Sequence, residues 1–474
     1  MPLLSRGPDR LSLLDRLLRP LGRVKPGEGQ TAVLLIVCLF LILSSYYVLK
    51  AAGEGFILAH GVLGFAGAEL KAYASGVMAL LLLGVIPLYS ALASRVTRIR
   101  LINVWYAVLL GCLLGVFALT ELGIPIGLAF FIWLGLVNVF LIAQFWSFAN
   151  DLYTEEQGER LFAPIAIGGS LGGIFGPVVA SFATSNHLLL LAAVLIAPCV
   201  ALLNMIDRIQ RRDPRSRAIA RQPISGTGAF HRIHTDRYLR LIAGLVFIAA
   251  LVKTTGEYVL SAQAADRAAE IVPVTAHAEL EPDARYRAIT LERQEQIKDF
   301  YSDFFFWVNL ASVVLQAVVV ARVIDKLGVR GALFVMPIVA LGAYGAIWAI
   351  GGIALIRIAK IAENSADYSL QNTVQQALFL PTDRTAKYKA KAAIDTLAVR
   401  IGDTCSALMI WTAIHALGLH SRALALGNIL LIAVWLAIAV GLAHRHRGLA
   451  RAVAPIAAKP PAAEIAPAAG SAAT

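Results

Sequence analysis

The sequence predicts an all-α integral membrane protein of about twelve transmembrane helices, arranged as two six-helix pseudo-repeats. Three observations carry this reading. The 474 residues are 58% hydrophobic and only 15% charged, with a mean hydropathy of +0.71. Apolar runs long enough to cross about 30 Å of hydrocarbon recur along the whole chain, and they are continuous rather than alternating, which excludes a barrel. The motif Lys50-x-x-Gly53-Glu54, late in the first apolar run, returns as Lys253-x-x-Gly256-Glu257, late in the seventh.

The elements follow in order. Residues 1–30 form a basic segment in which Arg6, Arg10, Arg16, Arg19, Arg23 and Lys25 interleave with Leu11, Leu13, Leu14, Leu17 and Leu18. It reads either as an interfacial amphipathic helix or as a plain basic tail. No cleavable signal pattern precedes the first span, so that span is expected to be retained. Residues 31–206 hold six spans, near 31–52, 72–94, 101–120, 125–150, 161–184 and 187–206. The hydrophilic stretch 207–237, with Pro214 and Pro223, is the expected linker. Residues 238–444 hold six more, near 238–262, 300–324, 330–350, 352–380, 388–416 and 421–443. They are interrupted by a mixed-charge insertion at 263–299 that is expected to contain a solvated helix. The tail 445–474 turns rich in Ala and Pro and is expected to be disordered.

The net charge of +12 sits largely in short loops: Arg95 to Arg100, Arg208 to Arg240, Arg322 to Arg330, Arg384 to Lys391 and His444 to Arg451. All fall on one side if both termini are cytoplasmic, so the positive-inside rule accounts for the excess without nucleic acid. A bacterial inner membrane is the expected location. Cys38, Cys112, Cys199 and Cys405 lie within apolar runs and read as small buried hydrophobes.

Charges at lipid depth mark the candidate site. Lys50 and Glu54 lie one helical turn apart, as do Lys253 and Glu257. Lysine placed N-terminal to glutamate is the weaker intrahelical order, so each charge is expected to meet another partner or a watery cavity. The null is an outer helix end with both side chains snorkelling to water. The tenth span places Arg357, Lys360, Asn364, Asp367, Gln371 and Gln375 along one face, beside Glu363. Such a stripe cannot face lipid; it lines a pathway or forms a salt-bridge network between the halves. Lys391 and Asp395 are neighbours on the eleventh span. The basic entrance before them reads as an anion vestibule or as ordinary cytoplasmic decoration.

Gly168, Gly169, Gly172, Gly173 and Gly176 in the fifth span form a small-xxx-small pattern for close helix packing. No phosphate-cradling G-x-x-x-x-G-K-[ST] motif occurs, which argues against an ATP-hydrolysing pump. No nucleophile–base constellation or metal-ligand spacing is visible, so neither an enzyme nor a cofactor is expected. His444 and His446 read as tail charge.

Two parallel six-span halves joined by a linker are the layout of the major facilitator superfamily. The loop Asp325-Lys326-Leu327-Gly328-Val329-Arg330 resembles that superfamily's signature; its counterpart, Ser94 to Arg100, keeps the bases without the aspartate. Within the superfamily, Phe145-Trp146-Ser147-Phe148-Ala149-Asn150 and the following Thr154 to Phe162 resemble the fourth-span region of the bacterial and plastid ATP/ADP translocases. So do Leu380-Pro381-Thr382-Asp383, Lys389 to Asp395 and Arg400-Ile401-Gly402. Tyr47-Val48-Leu49-Lys50 with Glu54 looks like that family's first-span motif. The resemblance implies exchange of nucleotides or a related anion by alternating access, with Lys50, Glu54 and Lys391 carrying charge. Two departures stand out: Gly53 occupies the place of a second basic residue, and Gln375-Gln376 the place of a Lys-Glu pair. A proton-coupled carrier of another metabolite, drug or lipid is the alternative within transporters. A non-transporting scaffold or sensor, binding through 207–237 or 263–299, is the alternative outside them.

Overall fold

A computed structural model describes residues 14–15, 24–62, 64–93, 95–153, 155–210, 233–379, 382, 391, 394–419 and 421–457. Most of the basic N-terminal segment, the linker 211–232, the basic entrance 383–390 and the Ala/Pro tail 458–474 lie outside the described residues. The described chain is helical, apart from an isolated bridge between Val62 and Phe65.

The first half comprises α1 (Gly29–Leu58), α2 (Gly67–Ala93), α3 (Arg98–Glu121), α4 (Gly127–Leu152), α5 (Glu155–Ala180) and α6 (Ser185–Gln210). The second comprises α7 (Arg237–Ile271) and α8 (Pro282–Leu315), which runs through a π-helical turn at Gln316–Val320 into α9 (Ala321–Ala332). Next come α10 (Val335–Ala349) and α11 (Ile353–Ala366), with a second π turn (Asp367–Gln371) leading into α12 (Asn372–Leu378). A third π turn (Ile394–Ala398) opens α13 (Val399–Trp411), a fourth (Thr412–Ala416) closes it, and α14 (Ser421–Ala457) ends the described chain. Counting α8–α9 and α11–α12 as single passes, the described residues form twelve helical passages that alternate in direction. Among the described residues, ten helices are long and apolar enough to cross a membrane. The other two passages are the short apolar α10 and the polar α11–α12, whose charges lower its hydropathy. Nothing but helix could satisfy so much backbone in hydrocarbon.

The even number of passes brings α1 and α14 to one end of the bundle, the terminal end; the opposite end is the distal end. Helices α7 and α8 are 35 and 34 residues long, too long for the bilayer alone,. The insertion is therefore a helical hairpin continuous with its spans at the distal end. Gly328, at φ 65° and ψ 172°, breaks the helix inside the Asp325–Arg330 loop. A left-handed φ costs glycine little, so this position turns the chain toward α10.

Two apolar clusters form the core: one within the first half, around Tyr106, Phe130 and Phe145, and one centred on the second half, around Tyr301, Tyr344 and Trp435, that also takes in Tyr47, Ile57, Leu58 and Ala68 of α1 and α2. The glycine stripe of α5 does what its spacing predicts. A Cβ at Gly168 would lie 2.2 Å from the Ile36 carbonyl oxygen, at Gly172 2.3 Å from that of Phe40, and at Gly176 2.6 Å from that of Ser44. α1 and α5 therefore touch backbone to backbone. Gly172→Ala should destabilise the protein by about 1–3 kcal/mol through overpacking. Gly111→Ala, at an open position on α3, should leave the thermal midpoint unchanged. Equal midpoints for the two variants in a detergent melt would refute the contact.

At the terminal end, Arg160 donates twice to Glu28, at 2.9 and 3.0 Å, tying α5 to the start of α1. Burial pushes the Glu28 carboxyl up. The hydrogen bonds from Arg160, the Lys25 backbone N–H and Gln157 outweigh it and hold the group below the ordinary carboxylate value. His446 is not tail charge: it is buried, lies 2.9 Å from the Tyr238 hydroxyl and stacks on that ring, docking the end of α14 against α7. Cys38 and Cys199 are buried in the first core, Cys112 and Cys405 half-buried, and all four are free thiols.

Candidate functional site

The two halves enclose a cavity of about 350 Å³ lined from α1, α2, α4, α7, α8, α11 with its π turn, and α13. Its charged lining is Lys50, Glu54, Lys71, Lys253, Glu257, Arg400 and Asp403. A second cavity of about 260 Å³ lies inside the second half. It shares Ala250, Lys253, Asn364, Tyr368 and Val399 with the first and adds Asp367, Gln371 and Gln375.

Lys50 and Glu54 each meet another partner, as the unfavourable order of the two along the helix leads one to expect. The Glu54 carboxylate accepts from Lys71 of α2 at 2.7 Å, with both side chains buried. Lys71 also donates to Ser261 of α7 at 3.0 Å, and Ser261 lies 2.9 Å from the Tyr301 hydroxyl of α8. Lys50 instead sits among aromatic rings, 4.2 Å from the Phe305 centroid, 5.5 Å from that of Tyr47 and 6.0 Å from that of Tyr46. No described carboxylate comes within 4.0 Å of it. Cation–π attraction in a desolvated setting is worth about 2 kcal/mol, which holds the ammonium without neutralising it.

The repeat is not mirrored in its partners. Lys253 pairs with Asp367 at 2.6 Å and lies 4.9 Å from the centroid of the Tyr368 ring. Glu257 accepts from Asn364 at 2.9 Å and lies 3.6 Å from Lys360. Lys360 is fully buried and pairs with Glu363 at 2.7 Å, whose carboxylate also accepts from Tyr344 at 3.0 Å. Arg357 pairs with Asp303 of α8. Thus Arg357 and Lys360, though on the predicted stripe, line neither cavity, whereas Asn364, Asp367, Gln371 and Gln375 do. Within α11, Arg357 and Lys360 are taken up by Asp303 and Glu363, and the π turn at Asp367–Gln371 then shifts the register of α12 against α11,. Lys391 lies 3.9 Å from Asp395, and Asp395 accepts from Gln375 at 2.8 Å. This pair flanks the inner cavity without lining it. In α13, Asp403 accepts from Thr254 at 2.6 Å and from Arg400 at 3.2 Å.

Several polar links join the halves toward the distal end besides Lys71–Ser261. His415 lies 2.7 Å from Glu69, the Ser185 N–H donates to Glu295 at 2.8 Å, and Lys298 donates to the Ala183 carbonyl at 2.7 Å. Sequence reasoning missed Lys71 because the second span was placed at 72–94. α2 begins at Gly67, which brings Lys71 inside the helix. A lysine abutting a long apolar run was the available signal.

Comparison with known proteins agrees with this architecture. Residues 344–446 match the family model of the TLC ATP/ADP transporter. ADP,ATP carrier protein 1 of Chlamydia pneumoniae is 22% identical over 347 residues, covering 64% of this chain and 64% of that protein. Its namesake in Chlamydia trachomatis is 24% identical over 354 residues, covering 64% and 62%. The match thus spans a little under two thirds of these relatives' length. Among solved structures, a POT family transporter in complex with 5-aminolevulinic acid superposes with a TM-score of 0.60 at 14% identity, covering 89% of this chain and 96% of that one. The nucleoside transporter NupG superposes with a TM-score of 0.55 at 13% identity, covering 87% and 98%. At such identities the structural likeness is one of fold alone. The resemblance to the ATP/ADP translocase family that the motifs carry is borne out.

Proposed function

We propose that this chain, related to the ATP/ADP translocases, is an antiporter that exchanges one nucleotide or kindred phosphate anion for another by alternating access. One observation carries the reading. Lys50 stands in the cavity between the halves with no described carboxylate within 4.0 Å, whereas Lys71, Lys253 and Arg400 are each ion-paired. A charge kept at that depth without a partner suits a travelling anion. The arriving anion completes the Lys50 site and competes with Glu54 for Lys71 and with Asp367 for Lys253. The acids hold these bases when the cavity is empty, so that emptiness does not strand a buried charge. Displacing Glu54 frees Lys71 from its bridge to Ser261, which ties occupancy to the contact between the halves. Lys71 also supplies a cation close to Gly53, where the family carries a second base.

In this proposal the membrane is a bacterial inner membrane, the terminal end is cytoplasmic, and no chemical conversion accompanies passage. The test is uptake of labelled ATP by proteoliposomes preloaded with ADP. Uptake should require internal ADP and persist with a protonophore present. Uptake that collapses with the protonophore and ignores internal ADP would instead establish a proton-coupled carrier. A chain that moves no anion under either condition would be a scaffold or sensor.

A further inference from the structure

The inner cavity contains two buried polar groups left without partners among the described residues. Asn364, 4% exposed, lies where the two cavities meet. Its amide donates to Glu257 at 2.9 Å, and since a carboxylate only accepts, the amide nitrogen must face Glu257. That fixes the flip and leaves Oδ1 an acceptor with no donor. Trp435, 2% exposed, lines the same inner cavity, and its indole N–H has no acceptor. Gln371, 4% exposed, lines the cavity too and makes no side-chain hydrogen bond with a described residue. An orphaned buried donor or acceptor costs about 1–3 kcal/mol. Here an acceptor, a donor and a carboxamide line one hollow, next to the Tyr368 ring, and a single ligand can satisfy them together.

We propose that this inner cavity is the subsite for the heterocyclic base of a nucleoside phosphate, with Asn364, Gln371 and Trp435 as specificity-determining residues. The complementary edge is flat and carries an N–H donor beside a ring-nitrogen acceptor, which is what an aminopurine offers. Its amino group donates to the Asn364 oxygen, and a ring nitrogen accepts from the Trp435 N–H. Lys253 lines both cavities, so a ligand seated here projects its phosphates past Lys253 toward Lys50. The two adjoining cavities, about 260 and 350 Å³, together fall in the range of small-molecule sites. This inference rests on the anion-exchange reading above and adds the orientation and the means of telling one anion from another.

Binding of ADP, IDP and inorganic pyrophosphate to the purified full chain in nanodiscs, followed by calorimetry, tests it. IDP carries a carbonyl where ADP carries its amino group. The parent should bind ADP more tightly than IDP, and both more tightly than pyrophosphate. Trp435→Phe keeps the ring and removes only the N–H. Gln371→Leu breaks no described hydrogen bond. Each should weaken ADP roughly three- to tenfold and leave pyrophosphate unchanged. Asn364→Ser should in addition narrow the gap between ADP and IDP. A parent that binds ADP no better than pyrophosphate, or variants that weaken both ligands equally, would overturn the base subsite. Failure of the underlying reading looks different: pyrophosphate itself would not bind, and Lys50→Gln would change nothing.

Discussion

Lys50→Gln should lower nucleotide exchange in proteoliposomes by one to three orders of magnitude while leaving the thermal midpoint nearly unchanged. The two halves of that expectation have one cause. No described carboxylate pairs with Lys50, so removing its charge strands no buried acid. The side chain keeps its contact with the rings of Tyr46, Tyr47 and Phe305, and glutamine fills much the same volume. What is lost is the attraction to an incoming phosphate. A unit charge 4 Å away contributes about 4 kcal/mol at an effective dielectric of 20, and each 1.4 kcal/mol is a factor of ten. Lys50→Arg keeps the charge and should retain a measurable fraction of the rate. Lys253→Gln should behave differently, losing stability as well, because it leaves Asp367 without its 2.6 Å partner. Parental exchange rates in Lys50→Gln would end the role assigned to this residue.

The contrast between Lys50 and Lys253 shows what the sequence could and could not convey. The repeated Lys-x-x-Gly-Glu motif marks two related halves and puts four charges at lipid depth. The glycines of α5 mark a helix contact, and the backbone distances from Gly168, Gly172 and Gly176 to α1 agree with it. Partner choice is another matter. A helical pattern fixes which residues share a face, but not which neighbouring helix that face meets or how far the neighbour is rotated. The order of Lys50 before Glu54 says that each needs another partner but not which one: Lys71 of α2 takes the glutamate and aromatic rings take the lysine. The polar stripe of the tenth span divides for the same reason. Asp303 of α8 takes Arg357 and Glu363 takes Lys360, while Asn364, Asp367, Gln371 and Gln375 line the inner cavity. Trp435 carried no signal at all, since a tryptophan in an apolar run gives no hint that its N–H ends without an acceptor.

Lys360→Met should be the most destabilising single change near the site. Lys360 is fully buried, and its ammonium sits 2.7 Å from Glu363 and 3.6 Å from Glu257. Glu363 is itself only 2% exposed. Removing the lysine leaves two carboxylates facing each other, with the Tyr344 hydroxyl and the Asn364 amide as their remaining donors. Stripping one partner from a buried ion pair costs about 3–5 kcal/mol, because the survivor keeps its desolvation penalty and loses its compensation. That loss should appear as a clear drop in the thermal midpoint of the detergent-solubilised protein. Adding Glu363→Gln to Lys360→Met should recover most of the drop, since the neutral amide still bonds to Tyr344 and no longer opposes Glu257. Such recovery is the coupling a double-mutant cycle measures between groups in contact. The cycle also separates structure from transport. If the rescued double variant folds and exchanges nucleotide, Lys360 holds the second half together without touching substrate, as its complete burial implies. If Lys360→Met melts with the parent, the two carboxylates do not depend on that lysine and the structural role assigned to it falls.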